Sequence, residues 1–249
     1  MAYSTRSYAR PYIGVPGLPR GIKWLLIVNV AVFLLQWFSQ GTALARLLSS
    51  LELTPSQVVT HFAIWQLATY MFLHGGIGHI LFNMLALWMF GSDVEQTWGT
   101  DRFIKFYFFC GVGAGVCVVV LNYVFGTPNV ATLGSSGAIY GILLVCAMLW
   151  PDRIILFSFL FPIKMKYFVM IIGAIAFLSS FNASSGVSNF AHLGGMAFGY
   201  LFLKLPKVKG FHPAGAMEQA YKDWKLARAK KKFQVYLKKQ RSDRGPWVN

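Results

Sequence analysis

Charged residues are scarce in this chain of 249 residues. They make up 12% of the sequence, and only 8 residues are Asp or Glu. A soluble domain of this size would carry about 25% charged residues. Because so few charges cannot cover a surface that faces water, the composition excludes a soluble globular protein. The 56% hydrophobic content and the mean hydropathy of +0.52 indicate a membrane protein instead.

Cysteine is also rare, with 3 residues in the whole chain and no Cys-x-x-Cys pair. All three lie inside apolar runs, so the sequence gives no sign of a disulfide framework or of a thiolate zinc site. We therefore expect Cys110, Cys117 and Cys146 to act as small buried hydrophobic residues within apolar helices.

Successive apolar segments predict an all-α polytopic membrane protein. A helix needs about 20 apolar residues to cross a bilayer, and charges or turn residues separate segments that approach this length. The predicted helices are 22–38, 79–98, 102–125, 136–150, 167–181 and 189–205. A short interfacial stretch, 154–165, is expected between the fourth and the fifth of these helices. The sequence thus predicts about six spans.

The connection between the first two helices, 40–67, is too long and too apolar to be a free linker. It contains Leu51, Phe62, Ile64 and Trp65, and tryptophan favours the interface between membrane and water. We expect this segment to be a structured loop that lies in the interface.

The basic residues predict the orientation, because Lys and Arg collect on the cytoplasmic side of a membrane protein. With the N-terminus inside and an even number of spans, every Lys and Arg except Arg46 is cytoplasmic. Both termini are then in the cytoplasm. The residue His74 and the start of the fourth helix lie on the outer side, so a site near that point would open outward.

The last segment, 206–249, is strongly basic and also contains Tyr221, Trp224, Phe233 and Tyr236. We expect it to be a solvated, partly helical tail that lies against anionic lipid. The charge is not accompanied by a nucleic-acid recognition module, so no nucleic-acid partner is expected.

One serine at the start of the fourth helix is a candidate nucleophile. Ser136 lies in the run Gly134-Ser135-Ser136-Gly137, far from any charged residue. Small neighbours leave its hydroxyl accessible and allow another helix to approach closely. A serine becomes nucleophilic when a base reaches it, and His192 in the sixth helix is the candidate base.

The spacing in the sixth helix is compatible with that pairing. His192, Gly195 and Gly199 share one helix face through their i, i+3 and i+7 spacing. If this face meets the face formed by Gly137 and Gly141, His192 lies about level with Ser136. The spacing allows this arrangement but does not require it.

A second polar cluster lies at the outer end of the second helix. His79 and Asn83 are four residues apart and therefore share a face, with His74 just before them. Polar side chains at membrane depth are costly and indicate function. A zinc site is not supported, because there is no His-Glu-x-x-His motif and no nearby carboxylate. A paired-aspartate site is not supported either, because no Asp lies inside an apolar span.

Four motifs together resemble the rhomboid family of intramembrane serine proteases. Their order and their positions on the helices match the family over roughly 22–205. They are Gly-x-Ser-Gly at 134–137 with Tyr140 and Gly141 after it, His-x-x-x-Asn at 79–83, Ala-His-x-x-Gly-x-x-x-Gly at 191–199, and Gly-x-x-x-Glu-x-x-x-Gly at 91–99.

The resemblance implies a role for each residue of these motifs. Ser136 would be the nucleophile and His192 the general base of a catalytic dyad, without a metal or any other cofactor. The oxyanion would be received by His79, Asn83 and the backbone N–H of Ser136. Supporting positions would be Tyr140 against the catalytic imidazole, Gly195 with Gly137 at the helix crossing, Gly134 and His74.

The resemblance also implies a function and an organisation for the whole chain. The protein would cleave single-pass transmembrane substrates near the outer face of the membrane. It would have a cytoplasmic N-terminal segment (1–21), a six-transmembrane-helix rhomboid-like bundle with a half-embedded first loop (22–205), and a basic cytoplasmic tail (206–249). The fifth helix and the loop after it would form the substrate gate. With neither a cleavable signal peptide nor a convincing transit peptide, a prokaryotic plasma membrane is expected.

Two alternatives remain open from the sequence. A catalytically silent rhomboid-like protein would bind transmembrane clients without cutting them, although such relatives typically lack the Ser or the His. A small-solute transporter would have internal repeats and broken spans in matching halves, which this chain does not display. The sequence also departs from the family at Gln66, where many members have Arg after Trp, so we expect a less firmly anchored first loop.

Overall fold

The computed structural model describes residues 18–125, 128–157, 161–180 and 189–205. Helices dominate this part of the chain, which confirms the prediction of a mostly helical fold. The long helices are α1 (Arg20–Phe38), α5 (Ile77–Ala86) with α6 (Ser92–Trp98), α7 (Thr100–Phe125), α8 (Ser136–Leu149), α9 (Met165–Ser179) and α10 (Asn189–Lys204). The short helices α2 (Ala43–Ser49), α3 (Pro55–Thr60) and α4 (Gln66–Thr69) lie between α1 and α5.

One element differs from the predicted all-α class. The stretch 154–165 contains an antiparallel hairpin of β1 (Ile154–Phe157) and β2 (Phe161–Lys164). Two runs of bulky apolar residues that are too short for a helical span pair through their backbones instead. Asp152, just before β1, binds Lys164 and Lys166 at 3.1 and 2.9 Å, and Arg153 forms an ion pair with Asp93 of α6.

Three helical segments of the described chain are long and apolar enough to cross a membrane. They are Arg20–Phe38, Ile77–Trp98 and Thr100–Val124, and the shorter helices Ser136–Leu149 and Met165–Ser179 are also apolar. Bulky apolar side chains remain exposed on these helices, for example Phe82 at 71% and Leu178 at 69%. The chain is therefore an integral membrane protein.

The segment between α5 and α6 is a π-helical turn, Leu87–Gly91, which widens the helix without interrupting it. Beyond this turn, the buried carboxylate of Glu95 accepts hydrogen bonds from the backbone N–H groups of Gly21 and Ile22, at 2.7 and 2.8 Å. The hydroxyl of Thr100 also donates to it, at 2.6 Å. Glu95 thus caps α1, whose own N-cap residue has no side-chain acceptor.

Helix α7 runs through the centre of the core. One face of it is fully buried along most of its length, at Phe103, Phe106, Tyr107, Cys110, Ala114 and Val118. Neighbouring side chains pack directly against the glycines of α7. If Gly113 had a Cβ atom, that atom would lie only 2.2 Å from the ring of Phe198 in α10. The prediction for the cysteines holds for Cys110 and Cys146, which are buried, whereas Cys117 is half-buried.

The first loop is anchored by polar contacts. The fully buried Gln66 accepts the N–H of Thr54 at 3.0 Å and donates to Ser50 O and to Gln57 Oε1, at 3.0 and 2.7 Å. An antiparallel bridge joins Leu53 to Thr132, just before α8. Gln66 thus holds three polar groups of the loop through a neutral amide. The expectation that the loop is less firmly anchored than with Arg at this position stays a prediction.

The chain divides into two compact units, Met1–Lys204 and Leu205–Asn249. The features above belong to the first unit. The predicted N-terminal segment up to 17, the loop 182–188 and the basic tail 206–249 lie outside the described residues. The domain limits given by the sequence therefore remain predictions.

Candidate active site

A sharp turn leads into helix α8 and exposes Ser136 at its first position. Gly134 has φ of +113°, a conformation that favours glycine. Its N–H donates to the carbonyl oxygen of Tyr70 at 2.9 Å, so the short helical turn Tyr70–Phe72, which follows α4, fixes the turn before α8. The helix begins at Ser136, directly after this turn. The hydroxyl of Ser136 therefore lies at the mouth of the helix.

Helices α8 and α10 cross in backbone contact. A Cβ on Gly195 would lie 1.8 Å from the carbonyl oxygen of Gly137, and one on Gly199 would lie 3.1 Å from Cα of Gly141. Only glycine allows so close an approach at Gly195. The crossing brings His192 to Ser136, with 2.9 Å between Nε2 and Oγ. The two residues are 56 positions apart in the sequence.

The imidazole of His192 is oriented by an aromatic ring. Tyr140 stacks on it with 4.1 Å between ring centroids and an interplanar angle of 2°. The Nδ1 atom is buried and has no hydrogen-bond partner among the described residues. For Nε2 to accept the proton of Ser136, the neutral ring must carry its own proton on Nδ1. Stacking thus fixes the ring plane, where a triad would use a carboxylate.

His79 and Asn83 face the turn before Ser136 from helix α5. The backbone N–H of Gly75 donates to Nδ1 of His79 at 3.3 Å, which assigns the proton of the neutral ring to Nε2. A Cβ on Gly134 would lie 2.7 Å from this Nε2 and 3.8 Å from Nδ2 of Asn83. One N–H of the Asn83 amide donates a hydrogen bond to the carbonyl oxygen of His79, at 2.9 Å. Among the described residues, no further hydrogen bond engages the second N–H of Asn83 or Nε2 of His79.

His74 lies just before α5 and is buried. Its backbone N–H donates to Oε1 of Gln36 at 3.0 Å, and its ring packs edge-on against His79 with 5.1 Å between centroids. Neither ring nitrogen makes a hydrogen bond of ordinary geometry to a described residue, although the backbone of Phe72 lies beside the ring. Burial, together with the nearby His79, lowers the pKa of His74 to about 4, so that the ring is neutral at pH 7. We interpret His74 as a scaffold residue that supports His79.

These residues line one cavity of about 830 Å³. Its polar part is formed by His79, Asn83, Gly134, Ser136, Tyr140 and His192. Its apolar walls come from α5 and α9, with Phe82 and Ala86 on one side and Phe168 and Ile172 on the other. Six of the nine residues that the sequence singled out line this cavity, whereas His74, Gly137 and Gly195 are not part of its lining. Sequence reasoning missed Tyr70, which lines the cavity and holds the turn before α8, because an aromatic residue in a stretch rich in aromatic residues gives no distinguishing signal.

The polar groups can support acyl transfer. Ser136 supplies a hydroxyl, His192 an adjacent base, and His79, Asn83 and the first N–H groups of α8 supply hydrogen-bond donors nearby. Within the described residues, no three His, Cys, Asp or Glu side chains are grouped so that they could hold a metal ion. The expectation of a site without metal or other cofactor stays a prediction.

Comparisons with known proteins agree with the motifs. The profile of the Rhomboid domain matches residues 61–205, more than half of the chain. The rhomboid protease GluP of Bacillus subtilis is 31% identical over 198 residues, which cover 78% of this chain and 37% of that protein. RHOMBOID-like proteins 4 and 1 of Arabidopsis thaliana are each 33% identical, over 55% and 59% of this chain and 32% and 35% of theirs. The chain thus spans about a third of the length of these relatives.

Proposed function

The chain belongs to the rhomboid family, and on this premise we propose that it is an intramembrane serine endopeptidase. It cleaves the transmembrane segments of single-pass proteins near the outer face of the membrane. The observation that carries the proposal is the 2.9 Å contact between Ser136 Oγ and His192 Nε2 in a polar cavity between apolar helices. A hydroxyl and a base in such contact form the central unit of a serine hydrolase.

The proposed reaction starts with attack of Ser136 Oγ on the carbonyl carbon of the scissile bond. His192 Nε2 takes the hydroxyl proton, and the carbonyl oxygen becomes an oxyanion. His79 Nε2–H, the free N–H of Asn83 and the backbone N–H of Ser136 donate hydrogen bonds to it. When the C–N bond breaks, His192 returns the proton to the leaving amine. Water then attacks the acyl-enzyme in the same manner and releases Ser136.

We infer that six spans enclose this site: α1, α5 with α6, α7, α8, α9 and α10. The cavity then opens to the outer side, and both termini are cytoplasmic. The first loop is half-embedded in the outer interface, and the basic tail lies on anionic lipid. The distribution of Lys and Arg supports this topology. A prokaryotic plasma membrane is the proposed location.

Substrates enter sideways, between α5 and α9, in this proposal. The two helices contribute the apolar cavity walls, and α9 has only a few buried residues. A substrate helix must unwind before cleavage, because the carbonyl groups of a helix are already hydrogen-bonded. Substrates are therefore expected to carry a helix-destabilising segment near the outer face, with a small residue before the scissile bond. The loop 182–188, the second part of the predicted gate, lies outside the described residues.

Reconstitution in lipid vesicles tests the proposal. The purified protein is mixed in the bilayer with a single-pass peptide of the kind described above, and products are identified by mass spectrometry. Wild-type protein is expected to cut the peptide once near its outer end, and Ser136→Ala is expected not to cut it. Ser49→Ala, which removes an exposed hydroxyl from the first loop, serves as the matched control. Binding of the peptide without cleavage by the wild type would favour a client-binding protein instead.

A further inference from the structure

Three buried polar side chains that do not line the cavity come together at the residue before the candidate nucleophile. They are Asn29 of α1, Tyr107 of α7 and Ser135, the residue before α8, and each has 0% exposure. The hydroxyl of Tyr107 lies beside the side chains of both Ser135 and Asn29. Asn29 Oδ1, Tyr107 Oη and Ser135 Oγ make no hydrogen bond of ordinary geometry to any described residue.

The chemistry of these groups favours one order of pairing. Asn29 uses its Nδ2 on the carbonyl oxygen of Leu25, at 2.7 Å, so its Oδ1 is left as an acceptor. The hydroxyl of Tyr107 can donate to this oxygen and accept from the hydroxyl of Ser135. An unpaired buried polar group costs about 1–3 kcal/mol. A relay Ser135 to Tyr107 to Asn29 removes that cost for all three groups.

The position of Ser135 gives the relay a consequence. Ser135 is the N-cap residue of α8, and it makes no side-chain cap hydrogen bond. A serine at this position ordinarily accepts a hydrogen bond from one of the first N–H groups of its helix. Here the first backbone bond of the helix runs from Ile139 N to Ser135 O, at 3.1 Å. The N–H groups of the residues between them, beginning with Ser136, have no partner within the helix.

We propose that Tyr107, held by Asn29, draws the hydroxyl of Ser135 away from the start of α8 and so keeps those N–H groups free for the oxyanion. Tyr107 and Asn29 are positioning residues, since they act through Ser135 and not on the substrate. Without the tyrosine hydroxyl, Ser135 turns to cap its own helix and competes with the oxyanion. This inference rests on the proposed function, because it assigns a role within the same site.

The rate of labelling by a fluorophosphonate probe tests the proposal, because the probe reacts with an activated serine and forms a tetrahedral phosphorus centre. Tyr107→Phe is expected to label about tenfold more slowly, as expected for a loss of about 1.4 kcal/mol in the transition state. Adding Ser135→Ala removes the competing hydroxyl and is expected to restore the rate to that of Ser135→Ala alone. Tyr123→Phe, at an exposed tyrosine of the same helix, is the matched control.

Rescue by Ser135→Ala is the decisive readout, since general damage to the fold would not be relieved by a second deletion. A double variant no faster than Tyr107→Phe, or a Tyr107→Phe variant as fast as wild type, would overturn the proposal. A folded wild type that does not label would overturn the proposed function, and with it this role for the oxyanion.

A thermal double-mutant cycle distinguishes failure of the relay from failure of the proposed protease function, because it does not require activity. Tyr107→Phe and Asn29→Ala are each expected to lower the unfolding midpoint. The double variant is expected to lower the unfolding midpoint by much less than the sum of the two single decreases, since both substitutions break the same contact. Additive shifts would overturn the relay itself, whatever the labelling result.

Discussion

Two sides of the same cavity are built in opposite ways. At the crossing of α8 and α10 the helices touch through their backbones, and eight residues of α8 are buried. On the opposite side, α9 buries only Met165, Val169 and Ala176. A Cβ added to Gly173 of α9 would meet only the flexible end of Met196, at 3.3 Å, whereas one added to Gly195 would overlap a backbone oxygen at 1.8 Å.

The difference teaches which part of the site must be fixed and which must yield. A nucleophile and its base need a distance held to a fraction of an ångström, and the α8–α10 crossing supplies it through atoms that cannot move aside. A substrate helix needs an entrance, and the wall formed by α9 can give way at small cost because few buried contacts hold it. The crossing is rigid because its glycine packs against backbone atoms, and the α9 wall can yield because its glycine packs against a flexible side chain.

Substitution of Gly195 and of Gly173 should give the largest difference between the α8–α10 crossing and the α9 wall. Gly195→Ala is expected to abolish labelling and to lower the free energy of unfolding by more than about 3 kcal/mol, because backbone atoms overlap. Gly173→Ala is expected to change that free energy by less than about 1 kcal/mol, since the end of Met196 can move and alanine favours the helix. Thermal unfolding and probe labelling of both variants provide the measurement. Equal effects at the two positions would contradict the contrast between the helices.

Removal of one donor from the α5 wall should affect rate and leave stability nearly unchanged. Asn83→Ala is expected to lose only part of the activity, because one oxyanion donor is worth roughly 10²–10³ in rate and the other donors remain. Asn122→Ala is the matched control, since Asn122 makes the same bond to the carbonyl four residues earlier in α7. Cleavage rates in vesicles and thermal midpoints are compared. Complete loss in a folded Asn83→Ala protein would show that Asn83 does more than donate one bond.

The first loop offers the smallest of these effects and affects stability alone. Gln66→Ala leaves the N–H of Thr54 without its partner and removes one of the two donors to the carbonyl of Ser50, the other being the indole N–H of Trp65. We expect a loss of about 1–3 kcal/mol in the free energy of unfolding, with the labelling rate unchanged below the new midpoint. Gln57→Ala removes only one of the three contacts and should cost less. A larger loss for Gln57→Ala would contradict the anchoring role of Gln66.

The helices and the residues near the cavity could be predicted because their signals are local. Apolar length indicated the long helices to within a few residues, and the spacing of His192, Gly195 and Gly199 indicated one face. Spacing could not decide whether this face meets α8, because that depends on packing between segments far apart in sequence. The motifs supplied the missing step through the resemblance to rhomboid proteins.

Other features had no local signal. The hairpin of β1 and β2 arises from two short apolar runs, whose periodicity does not separate a strand from an interfacial turn. The π-helical turn at 87–91 has an ordinary helical sequence. The group formed by Asn29, Tyr107 and Ser135 comes from three separate elements, so only the folded chain shows that they meet. The expectation for Gln66 considered only the positive charge that Gln lacks, and the sequence could not show that its amide contacts Thr54, Ser50 and Gln57.

The most direct test of the proposed dyad is labelling of the solubilised protein with a fluorophosphonate probe, with wild type beside Ser136→Ala and His192→Ala. Circular dichroism and thermal unfolding confirm that all three proteins are folded. We expect labelling of the wild type and its loss in both variants, because the probe needs the hydroxyl and the base together. Labelling of either variant at the wild-type level, or none in the folded wild type, would contradict it.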